Sequence, residues 1–429
     1  MAAPSRQLKR PGIDTGVDAE SLTRALLEHR SGVAIGSLEC VGVREMRRIW
    51  VALGLSICLV ISGAVVAAVR PSHPPQGNQW PTPWAQGDPT FAPPAKTPPI
   101  VGVNYHGIWP DVTEAERAVM LDDFAEAGIR WVRLDISWAM LQPNGPDSYD
   151  IADGVARLDR RIDEIAAHGM RTLLLLYWAP SWSTGTTAKN GVPRDPKDYA
   201  NAASWVAKRY RGKVGAIELW NEPDLSRFLA NTSVQTYTDL IKAAYPKIKA
   251  VNPDITVVAG APTYVKTGWY AQMYAAGGAH MFDALGIHPY PGMADAPPTA
   301  CDKAYLDKYP CNIASLVDLM RARGDGGKGI WVTEYGWSAH DNTAYSDPIP
   351  AWKRGVTLQQ QADYLLQMQS YLTRWPQVQA SFWYTDRNTA VGDSHEDNFG
   401  ILDRNLNAKP VYYALRCAAS GICGPSENP

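Results

Sequence analysis

Two glutamates end runs of apolar residues and have polar or aromatic neighbours. In "VGAIELWNEP" (214–223), Glu222 follows Asn221 and precedes a proline. In "GIWVTEYGW" (329–337), Glu334 ends a second apolar run. Because a strand end does not need a carboxylate for packing, both side chains are candidates for proton transfer or nucleophilic attack.

Other short apolar or β-rich runs also carry polar and aromatic side chains at or near their ends. Eight such runs begin near residues 100, 129, 171, 214, 255, 282, 329 and 379. Besides the two glutamates, the candidate binding residues in them are His106, Arg133, Trp178, Asn221, His288, Tyr290 and Trp383.

Segments of helical periodicity separate these runs. Residues 113–128 and 153–169 are amphipathic, and each segment ends at a glycine suited to a helix C-cap. Parallel strands need helical crossovers, and strands that are apolar throughout need cover on both faces. The repeats therefore predict a (β/α)8 TIM barrel over residues 100–416. A doubly wound open sheet is the alternative, but no G-x-G-x-x-G motif follows the first strand.

The carboxyl ends of the strands form the active site in such a barrel. Glu222 would end the fourth strand and Glu334 the seventh, so that the two carboxyl groups face each other across the mouth. One protonated and one ionised carboxyl group are the requirement for hydrolysis of a glycosidic bond. The long loop 181–199 is expected to wall one side of the cleft.

The aromatic composition is consistent with a sugar ligand. The chain has 16 tryptophans and 20 tyrosines against 6 phenylalanines. Tryptophan and tyrosine combine an apolar face with a polar group, which suits the faces and hydroxyls of sugars.

With these motifs the sequence resembles the clan A retaining glycoside hydrolases. The resemblance is strongest to family 39 and next to family 5, and it covers roughly residues 100–416. The matching segments are "WVRLDISW" (131–138), "WNEP" (220–223), "GIHPY" (286–290), "TEYGW" (333–337) and "FWYTD" (382–386).

The resemblance implies roles for the residues that match. Glu222 would be the general acid/base, and Glu334 would be the nucleophile that forms a covalent glycosyl intermediate. Asn221 would hydrogen-bond the sugar 2-hydroxyl. Arg133 and Tyr290 would keep Glu334 ionised, the first by charge and the second by hydrogen bonding.

The remaining candidates would line the same site. His288 would lie beside the glutamates, and Trp383 would be the apolar platform under the reacting sugar. The cis peptide that the clan often shows would then join Trp383 to Tyr384. His106 and Trp178 are expected to contact the substrate.

The segment before the barrel has a different composition. Residues 49–69 form an uncharged stretch long enough to cross a membrane as a helix. Arginines before it predict a cytoplasmic N-terminus and export of the rest, but small residues near its end suit cleavage as a signal peptide. The predicted segments are a cytoplasmic tail or over-extended start (1–48), the anchor or signal (49–69), a proline-rich linker (70–99) and a C-terminal tail (417–429).

Four of the cysteines lie in two close pairs. Cys301 with Cys311 and Cys417 with Cys423 are each near in sequence, and we expect two local disulfides. Disulfides fit an exported protein.

Charge and histidine spacing limit the possible partners. A net charge of −2 gives no basic surplus for nucleic acid. The eight histidines show no H-E-x-x-H spacing, so we expect neither a metal nor a cofactor. We expect a monomer.

Two functions remain open. The first is an exported retaining glycosidase, anchored or secreted, that acts on a polysaccharide or oligosaccharide. The second is a catalytically inactive barrel that binds glycans at the cell surface, because a fold does not fix function. The presence of Glu222 and Glu334 together with Asn221, Arg133 and Tyr290 favours the enzyme.

Overall fold

The computed structural model describes residues 98–389 and 394–423. The predicted tail (1–48), the anchor or signal segment (49–69) and the linker up to residue 97 lie outside the described residues, as does the chain beyond residue 423. Among the helices of the described part, none is both long and apolar enough to span a membrane.

Eight strands form the centre of the structure. They are β1 (Ile100–Tyr105), β2 (Trp131–Ser137), β3 (Arg171–Tyr177), β4 (Val214–Leu219), β5 (Thr256–Ala259), β6 (Ala284–Ile287), β7 (Gly329–Tyr335) and β8 (Val378–Trp383). The strands pair in chain order into a closed barrel. Strand β8 pairs in parallel with β1, which closes the sheet. The predicted (β/α)8 barrel is therefore confirmed, and the open sheet is wrong.

Helices alternate with the strands along the chain. The α-helices are α1 (Glu114–Glu126), α2 (Trp138–Leu141), α3 (Gly154–Ala167), α4 (Ser181–Thr184), α5 (Pro196–Arg209), α6 (Val234–Val251), α7 (Thr267–Met273), α8 (Ile313–Ala322), α9 (Leu358–Leu372) and α10 (Pro410–Ser420). The expected domain end at residue 416 falls inside α10.

Local sequence determines where several helices begin. Helix α1 starts with a capping box, in which Thr113 Oγ1 accepts the Glu116 N–H and the Glu116 carboxylate accepts the Thr113 N–H. Helix α5 starts after Asp195, whose side chain accepts a backbone N–H, and has Pro196 in its first turn. These caps satisfy backbone donors that the helix itself leaves unpaired.

Apolar side chains fill one part of the barrel interior. This cluster comprises Leu173, Ala216, Val258, Ala284, Trp331, Ala380 and Phe382. Polar residues of the barrel strands, among them Arg133 on β2 and Glu218 on β4, are also buried. The strands therefore provide both an apolar core and a polar centre.

Gly260 lets the ends of two neighbouring strands approach each other. A Cβ atom at this position would meet the backbone oxygens of Leu219 and Trp220. The Gly260 N–H donates to Leu219 O at 3.2 Å and to the Tyr237 hydroxyl at 2.6 Å. The chain after β5 is thereby held against the segment that leads to Glu222.

Both expected disulfides are present. One joins Cys301 to Cys311 in the segment between β6 and α8, and the other joins Cys417 to Cys423 at the end of α10. Each closes a short segment of the chain.

Candidate active site

A cavity of about 670 Å³ opens at the carboxyl ends of the strands. Seven of the nine candidate residues line it, namely His106, Arg133, Trp178, Asn221, Glu222, Tyr290 and Glu334. His288 is fully buried and contacts both glutamates. The structure therefore brings eight of the nine candidate residues together.

The backbone turns sharply where β4 ends. Trp220 has a φ of 73° and Glu222 has a φ of 37°, both in the left-handed region. Side chains other than glycine rarely adopt this conformation, and it recurs at functional sites. The turn places Asn221 and Glu222 in the lining of the cavity instead of continuing the strand.

Glu222 is almost buried and has two basic partners. Its Oε1 atom lies 3.1 Å from His288 Nδ1, and its Oε2 atom accepts a hydrogen bond of 3.2 Å from Arg227 Nη2. Only 4% of Glu222 is exposed. The carboxyl group is therefore fixed at both oxygens.

Glu334 also has two cationic neighbours, Arg133 and His288. Its Oε1 atom accepts a hydrogen bond of 2.7 Å from Arg133, and its Oε2 atom accepts one of 3.1 Å from the Tyr290 hydroxyl. Burial alone would raise the pKa of Glu334. His288 and Arg133, together with these hydrogen bonds, outweigh burial and lower its pKa below the usual range.

Arg133 joins four side chains at the centre of the barrel. Besides Glu334, it donates to Glu218 Oε2 at 2.6 Å, to Asn104 Oδ1 at 2.8 Å and to Asn221 Oδ1 at 2.8 Å. Burial would lower the pKa of Arg133, but the charges of Glu218 and Glu334 outweigh it and raise the pKa. The guanidinium therefore stays charged and holds Asn221 and Glu334 in fixed positions.

A chain of hydrogen bonds connects Glu218 to Glu222. Thr333 Oγ1 donates to Glu218 Oε1 at 2.9 Å and lies 3.1 Å from His288 Nε2. Since the single hydroxyl proton of Thr333 points to Glu218, the threonine oxygen accepts the proton of His288 Nε2. His288 Nδ1 and Glu222 Oε1 then face each other with one proton between them.

His288 is basic in this position. Burial would lower its pKa, but the charge of Glu334 and the hydrogen bond with Glu222 outweigh burial and raise the pKa above its usual value. The proton between His288 and Glu222 is therefore retained to a higher pH than a free imidazole would retain one.

Trp383 is not where the resemblance placed it. Its side chain is fully buried, it does not line the cavity, and its Nε1 donates to Phe399 O at 3.0 Å. Tyr384 lines the cavity instead, and the cis peptide joins Tyr384 to Thr385. The expected platform is thus shifted by one residue, because successive residues at the end of a strand point to opposite sides.

His106 lies at the edge of the cavity. Its backbone N–H donates to Asp386 Oδ2 at 2.8 Å, and its Nδ1 lies 3.4 Å from Asp386 Oδ1 and 2.9 Å from Thr385 Oγ1. Burial would lower the pKa of His106, but Asp386 outweighs it and raises the pKa. Its ring also packs on Trp109, with the ring centroids 4.0 Å apart.

Several residues of the site were missed in the sequence. Glu218 and Thr333 were detectable, because each is a polar residue inside an apolar strand and shortly precedes a glutamate of the site in the sequence. Arg227 and Glu396 lie on loops after β4 and β8 and also line the cavity. No spacing rule brings such loop residues to the site.

The glutamates and His288 could also hold a cation. One ligand atom from each of Glu222, His288 and Glu334 lies within 4.8 Å of the others. Among the described residues they form the candidate metal-binding group of acidic and histidine side chains. The same distance shows that a carboxyl oxygen of Glu222 lies within 4.8 Å of one from Glu334.

Two acidic side chains that face each other at the mouth of a (β/α)8 barrel are the arrangement that glycoside hydrolases use. The profile of the family described as cellulase, glycosyl hydrolase family 5, matches residues 90–380. The chain belongs to this family.

Solved structures of related enzymes share the fold. A family 39 glycoside hydrolase from Bacteroides cellulosilyticus superposes with a TM-score of 0.59 at 23% identity, over 75% of this chain and 64% of the other. A GH5_18 protein from Streptomyces cattleya has a TM-score of 0.56 at 16% identity, over 75% and 79% of the two chains. The expected likeness to both families is confirmed at the level of the fold.

Two curated proteins match a shorter segment. A phospho-cellobiase of Klebsiella oxytoca is 30% identical over 125 residues, which are 28% of this chain and 26% of the relative. A 6-phospho-beta-glucosidase of Dickeya chrysanthemi is 31% identical over 123 residues, with the same two shares. The matched segment thus spans about a quarter of these relatives.

Proposed function

We propose that this chain is an exported retaining glycosidase that hydrolyses O-glycosidic bonds of a polysaccharide or oligosaccharide. The observation that carries the proposal is the pair Glu222 and Glu334, which share one cavity but have different partners. His288 and Arg227 flank the first glutamate, whereas Arg133 and Tyr290 hold the second.

The short distance between the glutamates supports a retaining mechanism. In retaining enzymes the carboxyl groups lie about 5–5.5 Å apart, whereas inverting enzymes leave about 6.5–9.5 Å for a water molecule. Carboxyl oxygens of Glu222 and Glu334 come within 4.8 Å of each other. This limit on one oxygen–oxygen distance agrees with the closer, retaining separation of the carboxyl groups.

The two steps follow from the two environments. In the first step, Glu334 attacks the anomeric carbon while the bond to the leaving oxygen breaks, and Glu222 gives its proton to that oxygen. In the second step, Glu222 takes a proton from water, and the water oxygen displaces Glu334 from the sugar. Glu334 suits attack because its lowered pKa keeps it ionised, and Glu222 suits proton transfer because it shares a proton with His288.

The neighbouring side chains would bind the sugar. Asn221 uses its oxygen to accept from Arg133, which leaves its amide N–H groups to face the sugar 2-hydroxyl. Tyr384, in place of Trp383, would be the platform under the reacting ring. His106 and Trp178 would contact the sugar at the sides of the cavity.

A substrate screen tests the proposal. The purified barrel, from about residue 95, is incubated with β-glucans, xylans, mannans and bacterial exopolysaccharides, and with aryl glycosides. Phosphorylated disaccharides are included because of the names of the two curated relatives. Release of reducing sugar by the wild type, but not by Glu334→Ala, is expected. Binding without release across the panel would favour the inactive glycan-binding barrel.

Export is part of the proposal and rests on the sequence of residues 49–69 and on the two disulfides, which fit an oxidising compartment. Added protease should remove the barrel from intact cells if the segment is a retained anchor. A soluble product with a mature N-terminus between about residues 64 and 75 would instead show cleavage of a signal peptide. We propose a monomer, to be checked by light scattering.

A further inference from the structure

The two oxygens of the Glu222 carboxyl group have partners that differ in exposure. Oε1 lies 3.1 Å from Nδ1 of His288, whose side chain is fully buried. Oε2 accepts a hydrogen bond of 3.2 Å from Arg227, whose side chain is 62% exposed and lines the cavity. A ligand that enters the cavity can therefore displace Arg227 from Glu222, but it cannot displace His288.

The backbone of Arg227 is fixed, whereas its side chain is weakly held. The Leu225 N–H donates to Glu222 O at 2.9 Å, and the Phe228 N–H donates to Leu225 O at 3.0 Å. The guanidinium makes one hydrogen bond within the described part of the chain, to Glu222, and lies 4.6 Å from the centroid of the Phe228 ring. The side chain can thus change its partner by rotation about its own bonds, while the loop stays in place.

The observed position of Arg227 conflicts with the proposed role of Glu222 in the first step. In that step Glu222 must give a proton to the leaving oxygen, but a cation beside a carboxyl group favours its ionised form. The guanidinium also lies at the carboxyl oxygen that a substrate in the cavity can reach. A productive complex therefore requires Arg227 to leave Glu222.

Glu396 is the acidic side chain of the cavity that is free to receive Arg227. It is exposed, lines the cavity, and makes no hydrogen bond or ion pair with another described residue. The other acids of the lining, Asp135 and Glu334, already accept hydrogen bonds. Partial burial would lower the pKa of Arg227, but Glu222 outweighs burial, and Glu396 raises the pKa further. The charge of Glu396 therefore already attracts the guanidinium.

We propose that Arg227 changes its partner from Glu222 to Glu396 when the leaving group of the substrate enters the cavity. The inference rests on the proposed function and makes Arg227 and Glu396 positioning residues for the general acid. The guanidinium stays charged throughout, and the proton that passes from Glu222 to the leaving oxygen is the one transferred in this step. The exchange makes Glu222 an effective acid only when a substrate occupies the site.

A double-mutant cycle on Arg227 and Glu396 tests the exchange. We measure kcat/KM for an oligosaccharide and for an aryl glycoside with an acidic leaving group, which needs no proton from Glu222. Glu396→Gln removes the second partner, so that Arg227 stays on Glu222. We expect kcat/KM for the oligosaccharide to fall about tenfold and that for the aryl glycoside to stay unchanged. Retained activity on the aryl glycoside also shows that the variant is folded.

Arg227→Met should make the second partner unnecessary. In this background we expect Glu396→Gln to change kcat/KM for the oligosaccharide by less than about twofold. Arg227→Lys is the matched control, because it keeps the charge, and Glu396→Gln should again lower kcat/KM there. The exchange is refuted if Glu396→Gln costs nothing in the wild-type background. Equal losses in the wild-type and Arg227→Met backgrounds would also refute it and would show that Glu396 acts without Arg227.

A crystal structure of Glu334→Gln with a bound oligosaccharide shows the exchange directly. This variant lacks the proposed nucleophile and leaves the substrate intact, while Glu222, Arg227 and Glu396 are unaltered. We expect a guanidinium nitrogen within about 4 Å of a Glu396 carboxyl oxygen and no contact with Glu222. Arg227 still bound to Glu222 beside the leaving-group sugar would refute the exchange. Failure of the wild type to hydrolyse any glycoside would instead refute the proposed function.

Discussion

His288 Nδ1 lies 3.1 Å from Glu222 Oε1, while the other nitrogen of the same ring lies 3.1 Å from Thr333 Oγ1. The threonine hydroxyl donates to Glu218, the buried partner of Arg133. Arg133 holds the proposed nucleophile Glu334 in place. Through Glu218 and Thr333, Arg133 is thereby connected to His288, which shares a proton with the proposed acid. The two glutamates are thus prepared for different roles by a single buried network.

Thr333→Val tests this connection. Without the hydroxyl, His288 Nε2 loses its acceptor, and the imidazole can keep its proton at Nδ1 and leave Glu222 ionised. We expect kcat/KM for substrates with poor leaving groups to fall about 10- to 100-fold, and the alkaline limb of the pH profile to move to lower pH. Aryl glycosides with acidic leaving groups should be much less affected.

Thr333→Ser is the matched control, because it keeps the hydroxyl. It should retain the wild-type kcat/KM and the wild-type position of the alkaline limb of the pH profile. An alkaline limb that stays in place in Thr333→Val would show that Thr333 only fills space.

Glu222→Ala and Glu334→Ala should separate the acid from the nucleophile. Loss of the acid should abolish turnover of oligosaccharides but still allow activated aryl glycosides to form the covalent intermediate. Loss of the nucleophile should remove both activities together. Azide should give a product of retained configuration with Glu222→Ala and of inverted configuration with Glu334→Ala, as read by NMR. Near wild-type cleavage of an aryl glycoside by Glu334→Ala would refute the assignment.

Glu218→Gln should destabilise the barrel. Glu218 is fully buried against Arg133, and removal of one partner of a buried ion pair costs about 3–5 kcal/mol. We expect the lower end of this range, because Glu334 remains as a partner of Arg133. Asp159→Asn is the control, since its pair with Arg209 is one-third exposed and should contribute about 1 kcal/mol or less. Urea denaturation measures the loss of unfolding free energy in both variants. Equal losses would show that the buried pair of Glu218 and Arg133 stabilises the barrel no more than the partly exposed pair does.

Two histidines should affect stability with opposite dependence on pH. The pKa of His106 is raised by Asp386, against the effect of burial. The contribution of protonated His106 to the free energy of unfolding is therefore complete below the unfolded-state pKa of about 6.5. It is lost as pH rises through the pKa of His106 in the folded state. Burial lowers the pKa of His395 to about 4. The contribution of neutral His395 to the free energy of unfolding is therefore complete above about pH 6.5 and is lost as the pH falls toward 4.

The difference in unfolding free energy between wild type and His106→Gln should thus decrease from pH 5 to pH 9. The difference between wild type and His395→Gln should increase from pH 4 to pH 7. The same slope for both variants would contradict these ionisation states.

The parts of the fold that the sequence predicted are those governed by local rules. Continuous apolar runs with helical segments between them indicate parallel strands, and a polar residue at or just beyond the end of such a run lies at the mouth. Glu222, Asn221 and Glu334 were located in this way. Glu218 could have been found too, because a lone acid within a buried strand needs a partner.

Other parts of the site depend on geometry that the sequence does not specify. Trp383 and Tyr384 are adjacent, and the exact end of the β8 pleat decides which ring faces the cavity. Arg227 reaches Glu222 because of the path of the loop after β4. Such long-range contacts are set by packing, not by local preference.

The anomeric configuration of the first product tests the central claim most directly. An aryl glycoside that the barrel hydrolyses is followed by proton NMR from the first minutes, before the released sugar mutarotates. The double displacement by Glu334 and water predicts a sugar with the same anomeric configuration as the substrate. Initial release of the opposite anomer would contradict the assignment of Glu334 as the nucleophile and the retaining mechanism with it.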